Sequence, residues 1–286
     1  MKYGLCFTHM LGPSPGAQDV VRLAQEAEKV GYYSIVASDH VLQPRSFDES
    51  TYPAGTLQSD VHWYDSFVVL AAIAARTQTI RLGTGVAVVP YRPPIQQAQA
   101  VATLDFISGG RLSYGAGVGW MREEFGALGV AFSDRGQRAD EYLQVMKLLW
   151  SGNGEGHRGE FIDFPGGYLS PPPTQRPHPP ILIGGDSPPA LRRIARYGDG
   201  FYINWKTPEE FSGFLERLAK PMADRGRQVS DLYMQLGATD IDLVRPHKDR
   251  MSNYEALGLD EIIFCPVSTS AAEGLDMMRG FAAEFF

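Results

Sequence analysis

Short apolar runs alternate with amphipathic segments from one end of this chain to the other, and the alternation constrains the fold more than any other feature. Tyr3 to Phe7, Ser34 to Ala37, Ile80 to Val89 and Leu112 to Ala116 read as strands. The segments after them, Ala17 to Val30, Tyr64 to Arg76, Ile95 to Phe106 and Arg138 to Trp150, carry apolar residues at helical spacing. The rhythm continues with the strands Ile181 to Gly184, Gly200 to Asn204, Leu232 to Asp240 and Glu261 to Cys265. Their helices are Ala190 to Tyr197, Pro208 to Lys220, a segment near Lys248 to Leu257, and Ala271 to Phe285.

Eight βα units of this size predict an α/β fold, a single parallel (β/α)8 TIM barrel over residues 1–286. Closure leaves no sheet edge and collects every strand-to-helix loop on one face. An open doubly wound sheet is the alternative. Two insertions break the rhythm, Val41 to His62 after the second strand and Asn153 to Pro180 before the fifth. The first reads as part of a site's rim. The second contains a hairpin expected near Phe161 to Leu169 and returns to wrap the barrel.

Composition narrows the partners. The formal net charge is −7, and no basic stretch exceeds a pair such as Arg192-Arg193, which argues against nucleic acid. Neither a secretory leader nor an apolar run long enough for a membrane is visible, so a cytoplasmic protein acting on a small molecule is expected. Cys6 and Cys265 are the only cysteines, too few for a disulfide framework or a zinc site. They are expected as reduced, packed thiols on the first and last strands, which become neighbours when a barrel closes. No metal site is expected.

Chemistry concentrates where strands end. In Ser38-Asp39-His40 an acid and an imidazole stand where a buried strand opens into a loop, so His40 is the candidate acid, base or charge stabiliser. Asp39 is the candidate to contact a cofactor ring nitrogen or tune the site; ordinary loop capping is the alternative for both. Thr84-Gly85-Val86 puts a glycine in a β-branched strand, the mark of a bulge or a close backbone approach. Gly115-Ala116-Gly117-Val118-Gly119 lets a ligand approach the backbone, or eases a tight bend, and does not match the dinucleotide fingerprint. In Gly184-Gly185-Asp186-Ser187-Pro188, Ser187 is an expected N-cap whose helix could receive an anion, although Asp186 opposes that reading. Arg45, Arg92 and Arg122 are possible anion partners. Trp63, Tyr91, Trp120 and Trp205 could line a cleft or fill the core, and Glu123 and Glu124 could belong to the rim or simply favour a helix dipole.

Taken in order, these pieces resemble the bacterial luciferase-like superfamily, and most closely its deazaflavin branch, which uses coenzyme F420. The resemblance covers nearly the whole chain. It rests on Ser38-Asp39-His40, Ile80 to Val86, Leu104 to Leu112, Gly115 to Trp120, Glu124 to Gly129, Pro179 to Gly185 and Gly198 to Gly200. It implies an oxidoreductase with F420, or alternatively FMN, in the barrel mouth, and a homodimer. A non-prolyl cis peptide would fall at Gly85-Val86 in a bulged third strand. His40 would sit beside the reactive ring and Asp39 near its polar edge. Thr84, Gly85, Val86, Gly117, Val118 and Gly119 would lie against the cofactor, with Gly184 and Gly185 near its phosphate. The reaction implied is hydride transfer to or from a moderately hydrophobic small molecule. An FMN-dependent monooxygenase and a non-catalytic flavin-binding barrel are the competing readings. The segment Leu243 to Lys248 looks short for the mobile loop of the oxygen-activating relatives.

Overall fold

The computed structural model describes residues 1–44, 62–238 and 251–286. Its first half runs β1 (Lys2–Cys6), α1 (Asp19–Val30), β2 (Ser34–Ala37), α2 (Ser66–Ala74), β3 (Arg81–Thr84), β4 (Ala87–Val88), α3 (Pro94–Ile107), β5 (Leu112–Gly117), α4 (Arg122–Ala127) and α5 (Arg135–Ser151). A small antiparallel pair, β6 (His157–Arg158) and β7 (Asp163–Phe164), follows. The second half runs β8 (Ile181–Gly184), α6 (Pro188–Tyr197), β9 (Gly200–Asn204), α7 (Pro208–Ala223), β10 (Tyr233–Ala238), α8 (Met251–Ala256), β11 (Glu261–Phe264) and α9 (Ala271–Phe285).

All the pairings of the main sheet are parallel, and β3 pairs with both β2 and β5, so the sheet closes on itself. With β3 and β4 as two pieces of one strand, this is the eight-stranded barrel that the alternation predicts, and the open sheet is excluded. Closure is made by β1, which pairs with β2 on one side and β11 on the other. No helix among the described residues is long and apolar enough to cross a membrane.

Successive strand residues face opposite sides, and the chain uses this to separate two environments. Leu112, Tyr114 and Ala116 of β5 pack outward in the main apolar core with Leu143 and Trp150 of α5. Ser113, Gly115 and Gly117 face the interior. Helix ends are fixed locally. Asp65 caps α2 by accepting from the N–H groups of Phe67 and Val68, and Thr207 forms a capping box with Glu210 at α7. Gly31 ends α1 at φ 104°, in the left-handed region that favours glycine.

Two expectations need correction. The hairpin lies at 157–164 rather than 161–169, because Glu141 on α5 accepts the N–H groups of Glu160, Phe161 and Ile162 and fixes that turn. The third strand is not continuous from Ile80 to Val89. It breaks at a cis peptide between Gly85 and Val86, and Val89–Tyr91 turns into a short 3-10 helix. The first part of the helix expected from Lys248, most of the insertion after β2, Arg45 and the Leu243 to Lys248 segment lie outside the described residues.

Candidate active site

At the C-terminal ends of the strands lies a cavity of about 370 Å³. Its wall includes Asp39 and His40 beyond β2, the Gly85-Val86 bulge, Gly117 to Gly119 beyond β5, and Gly184 with Gly185 at the end of β8. Four separate strand ends are therefore brought to one place. Thr84 is not among them. It faces a second cavity, of about 400 Å³, towards the N-terminal ends of the strands, and its hydroxyl donates to the Gly115 carbonyl at 2.7 Å.

His40 is held by a residue that the motifs left ambiguous. Its Nδ1 lies 2.8 Å from Oε2 of Glu124, whose side chain is 0% exposed. Glu124 also accepts from the Tyr91 hydroxyl at 2.8 Å and from the main-chain N–H groups of Val41 and Leu42. Burial pushes this carboxyl upward, but the hydrogen bonds from His40, Val41 and Tyr91 outweigh it, and the net displacement is below the usual carboxylate range. An ionised carboxylate only accepts, so Nδ1 of His40 carries the proton. Nε2 has no hydrogen-bond partner among the described residues and belongs to the ring that lines the cavity. Trp63, with its centroid 4.2 Å from His40, and Trp120, at 5.6 Å, flank that ring.

Asp39 is adjacent to His40 but turns the other way. Arg92 donates to both of its carboxylate oxygens, at 2.7 and 2.8 Å, while Val88 N–H and the Ser66 hydroxyl complete the set. Its side chain is 0% exposed. Asp39 thus ties the end of β2 to β4 and to the chain beyond the bulge. Arg92, named as an anion partner, is occupied by Asp39 and Asp65, and Arg122 stacks on Phe132.

The interior glycines make room for protein before they make room for ligand. A Cβ on Gly115 would lie 1.9 Å from the Thr84 carbonyl oxygen. On Gly117 it would lie 2.6 Å, and on Gly184 2.9 Å, from the same Val86 methyl. Breaking the third strand at Gly85-Val86 sends the Val86 side chain between β5 and β8, where only glycine leaves space. Val86 then forms part of the cavity floor.

At α6, Ser187 is the N-cap and Pro188 begins the helix, as expected. Pro188 and Pro189 lack N–H groups, and Ala190 N–H is taken by Ser187, so this terminus offers an anion its dipole but no free donor in the first three positions. Asp186 does not stand as a bare negative charge there. Lys206 pairs with it at 2.7 Å, and that hydrogen bond holds Asp186 below its ordinary range. A phosphate at Gly184-Gly185 would therefore meet the helix dipole and Lys206.

Of the candidate aromatics, Trp63, Tyr91 and Trp120 line the cavity, whereas Trp205 packs against Tyr254 with centroids 5.2 Å apart. Four further lining residues, Ser38, Tyr202, Ile203 and Asn204, come from the ends of β2 and β9. His9, beyond β1, meets Trp63 edge-on at 5.2 Å, and its buried Nδ1 has no hydrogen-bond partner among the described residues. Burial, with the nearby His40, holds His9 below the ordinary imidazole range. No local spacing singled out Glu124, because Trp120 lies outside α4 and Glu123 and Glu124 are adjacent in its first turn.

The cavity lies in the size range of cofactor sites, and its small-residue floor, the His40 imidazole and the flanking indoles fit a planar conjugated ring. Residues 1–241 match the family model for luciferase-like monooxygenases. An uncharacterized protein of Mycobacterium tuberculosis is 32% identical, the alignment covering 99% of this chain and 98% of that one. An FMNH(2)-dependent dimethylsulfone monooxygenase of Pseudomonas putida is 26% identical over 73% of this chain and 54% of its own. Among solved structures, an F420-dependent secondary alcohol dehydrogenase in complex with an F420-acetone adduct superimposes with a TM-score of 0.77 at 16% identity, covering 98% of this chain and 97% of that one. Enzymes of this family are oxidoreductases and monooxygenases, some dependent on F420 and some on FMN, and this chain belongs to the luciferase-like monooxygenase family.

Proposed function

We propose that this protein is an F420-dependent oxidoreductase transferring hydride between the deazaflavin and a small, moderately hydrophobic substrate. The observation that carries the proposal is the Glu124-anchored imidazole: His40 lines the cavity and is held with Nδ1 as donor, which leaves Nε2 without a hydrogen-bond partner among the described residues. The residues that would hold the ring are Gly85, Val86, Gly117, Val118 and Gly119, with Gly184 and Gly185 towards its phosphate. When bound, the deazaflavin supplies two-electron chemistry as hydride.

The chain's own contribution is to move and place a proton. A hydride added to a carbonyl carbon leaves charge on oxygen, and protonated Nε2 of His40 would neutralise it. In the reverse direction neutral Nε2 would accept the hydroxyl proton. Glu124 keeps Nδ1 protonated, while Trp63 and Trp120 flank the ring. Asp39, saturated by Arg92, positions His40 by fixing the end of β2.

A second reading is an FMN-dependent monooxygenase, favoured by the 26% identity to the FMNH(2)-dependent relative. Separate titrations of the purified protein with F420 and FMN, followed by absorbance and fluorescence, discriminate between them. Selective F420 binding supports the proposal. Selective FMN binding replaces it with the second reading, and binding of neither removes both.

A further inference from the structure

The chain has only two cysteines, separated by most of its length, and barrel closure makes them neighbours. Strands β1 and β11 pair in parallel with Leu5 opposite Phe264, so Cys6 and Cys265 occupy the next rung. Both thiols are free and buried, in one small interior cluster with Val36, Tyr202, Ile263 and Val86. Neighbouring strands lie about 4.8 Å apart. That spacing is within the roughly 4.4–6.8 Å between α-carbons that a disulfide bridges.

This cluster is the floor of the candidate active site. Cys6 Sγ lies 3.7 Å from the Ser38 hydroxyl, and Cys265 Sγ lies 3.8 Å from the Tyr202 hydroxyl. Ser38 and Tyr202 both line the cavity, so each sulfur lies one side chain behind its wall. The pair is also asymmetric. A hydrogen bond from the Cys265 thiol pulls Cys6 down to about 6 against burial, with help from Thr8 and Ser38. The same hydrogen bond, with burial, holds Cys265 well above its ordinary range. The two thiols are thus displaced in opposite directions, and Cys6 is the one more readily deprotonated.

We propose that Cys6 and Cys265 are a reversible dithiol–disulfide couple beneath the cavity, oxidised by hydrogen peroxide. The Cys6 thiolate attacks one peroxide oxygen, the O–O bond breaks, and hydroxide leaves, taking a proton to become water. The Cys6 sulfenic acid so formed is attacked by the Cys265 sulfur. The S–O bond breaks, the S–S bond forms, and the second oxygen leaves as water with the remaining proton. Two thiols have lost two electrons and two protons, and one peroxide has become two waters. Since Ser38 and Tyr202 each touch one of the sulfurs, the oxidation state is communicated to two side chains of the cavity wall. The inference rests on the thiol geometry and is independent of which cofactor the cavity takes.

The test uses the intact protein in the reduced state, exposed to hydrogen peroxide, then denatured, alkylated and weighed by mass spectrometry. The expected result is two alkylated cysteines before treatment, none after, a mass lower by two hydrogens, and recovery of both thiols with dithiothreitol. In Cys265→Ser, oxidation should stop at a Cys6 sulfenic acid trapped by dimedone. In Cys6→Ser, Cys265 should remain unmodified under the same exposure. The proposal is overturned if both wild-type thiols still alkylate after peroxide, if the disulfide joins two chains, or if Cys265 reacts equally well without Cys6.

Discussion

Nδ1 of His40 and Oε2 of Glu124 are 2.8 Å apart, although the loop after β2 and the short helix α4 that carry them are separated by 84 residues of chain. This contact fixes which nitrogen of His40 can act and makes Glu124 a positioning residue. His40→Ala is expected to lower the turnover number about 10²- to 10⁴-fold, the worth of a placed acid–base group. Cofactor affinity, measured separately by fluorescence titration, should change little. Glu124→Gln should lower turnover about tenfold or more while KM and cofactor affinity change little, since an amide can donate to Nδ1 and no longer fixes the tautomer. An unchanged turnover number would refute the positioning role.

Two buried carboxyls should give opposite pH signatures in stability. Glu124 is displaced downward in the folded state, so it contributes stability above the ordinary carboxylate range and loses it as pH falls through its folded value. Glu261 is displaced upward: burial dominates over its bonds from Ser34, Gln235 and Tyr233. Its folded form holds a proton that the unfolded chain releases, so stability erodes as pH rises from the ordinary range through the raised value. Glu261→Gln should therefore gain on wild type, and Glu124→Gln should fall behind it, as thermal midpoints are followed from about pH 4 to pH 8.

The glycines around the bulge should separate into two kinds. Gly117→Ala places a Cβ against a Val86 methyl, and the added strain is expected to cost about 1–3 kcal/mol. Adding Val86→Ala removes that methyl and should recover most of the loss. Gly115→Ala meets the main-chain carbonyl of Thr84, which no side-chain truncation removes. Val86→Ala should leave it unrescued in a denaturant-unfolding cycle of the single and double variants.

Asp39 and Arg92 should behave as a buried pair. Arg92→Met strands a carboxylate whose side chain is 0% exposed, at an expected cost of about 3–5 kcal/mol in urea unfolding. Asp39→Asn, which keeps the shape and can still accept from Val88 N–H, should cost less. If the two substitutions proved equally mild, the tie between β2 and the segment beyond the bulge would not be structural.

The fold was largely legible because barrel strands, buried on both faces, appear as short apolar runs such as Ile35 with Val36 and Ile181 to Ile183, each followed by a segment of different period. His40 stood out in the sequence because an acid and an imidazole sit together where a buried strand opens into a loop. Thr84 lies apart from the other motif residues because the chain changes direction just beyond it, so Thr84 and Val86 face different cavities. The opposite orientations of Asp39 and His40, and the choice of Glu124 over Glu123, depend on contacts across the barrel mouth that no local pattern encodes.

The sequence by itself determined the order of the strands and helices and the strand-end loops that carry polar groups, since these follow from burial and periodicity along the chain, while the ordered motifs from Ser38-Asp39-His40 to Gly198-Asp199-Gly200 carried the family resemblance. Only the tertiary structure decided which groups face one another: Glu124 with His40, Arg92 with Asp39, Val86 against Gly117 and Gly184, Cys6 beside Cys265. The physical reason is that local patterning sets which side of an element is buried. Register and barrel closure, acting on residues far apart in the chain, set what each buried side meets.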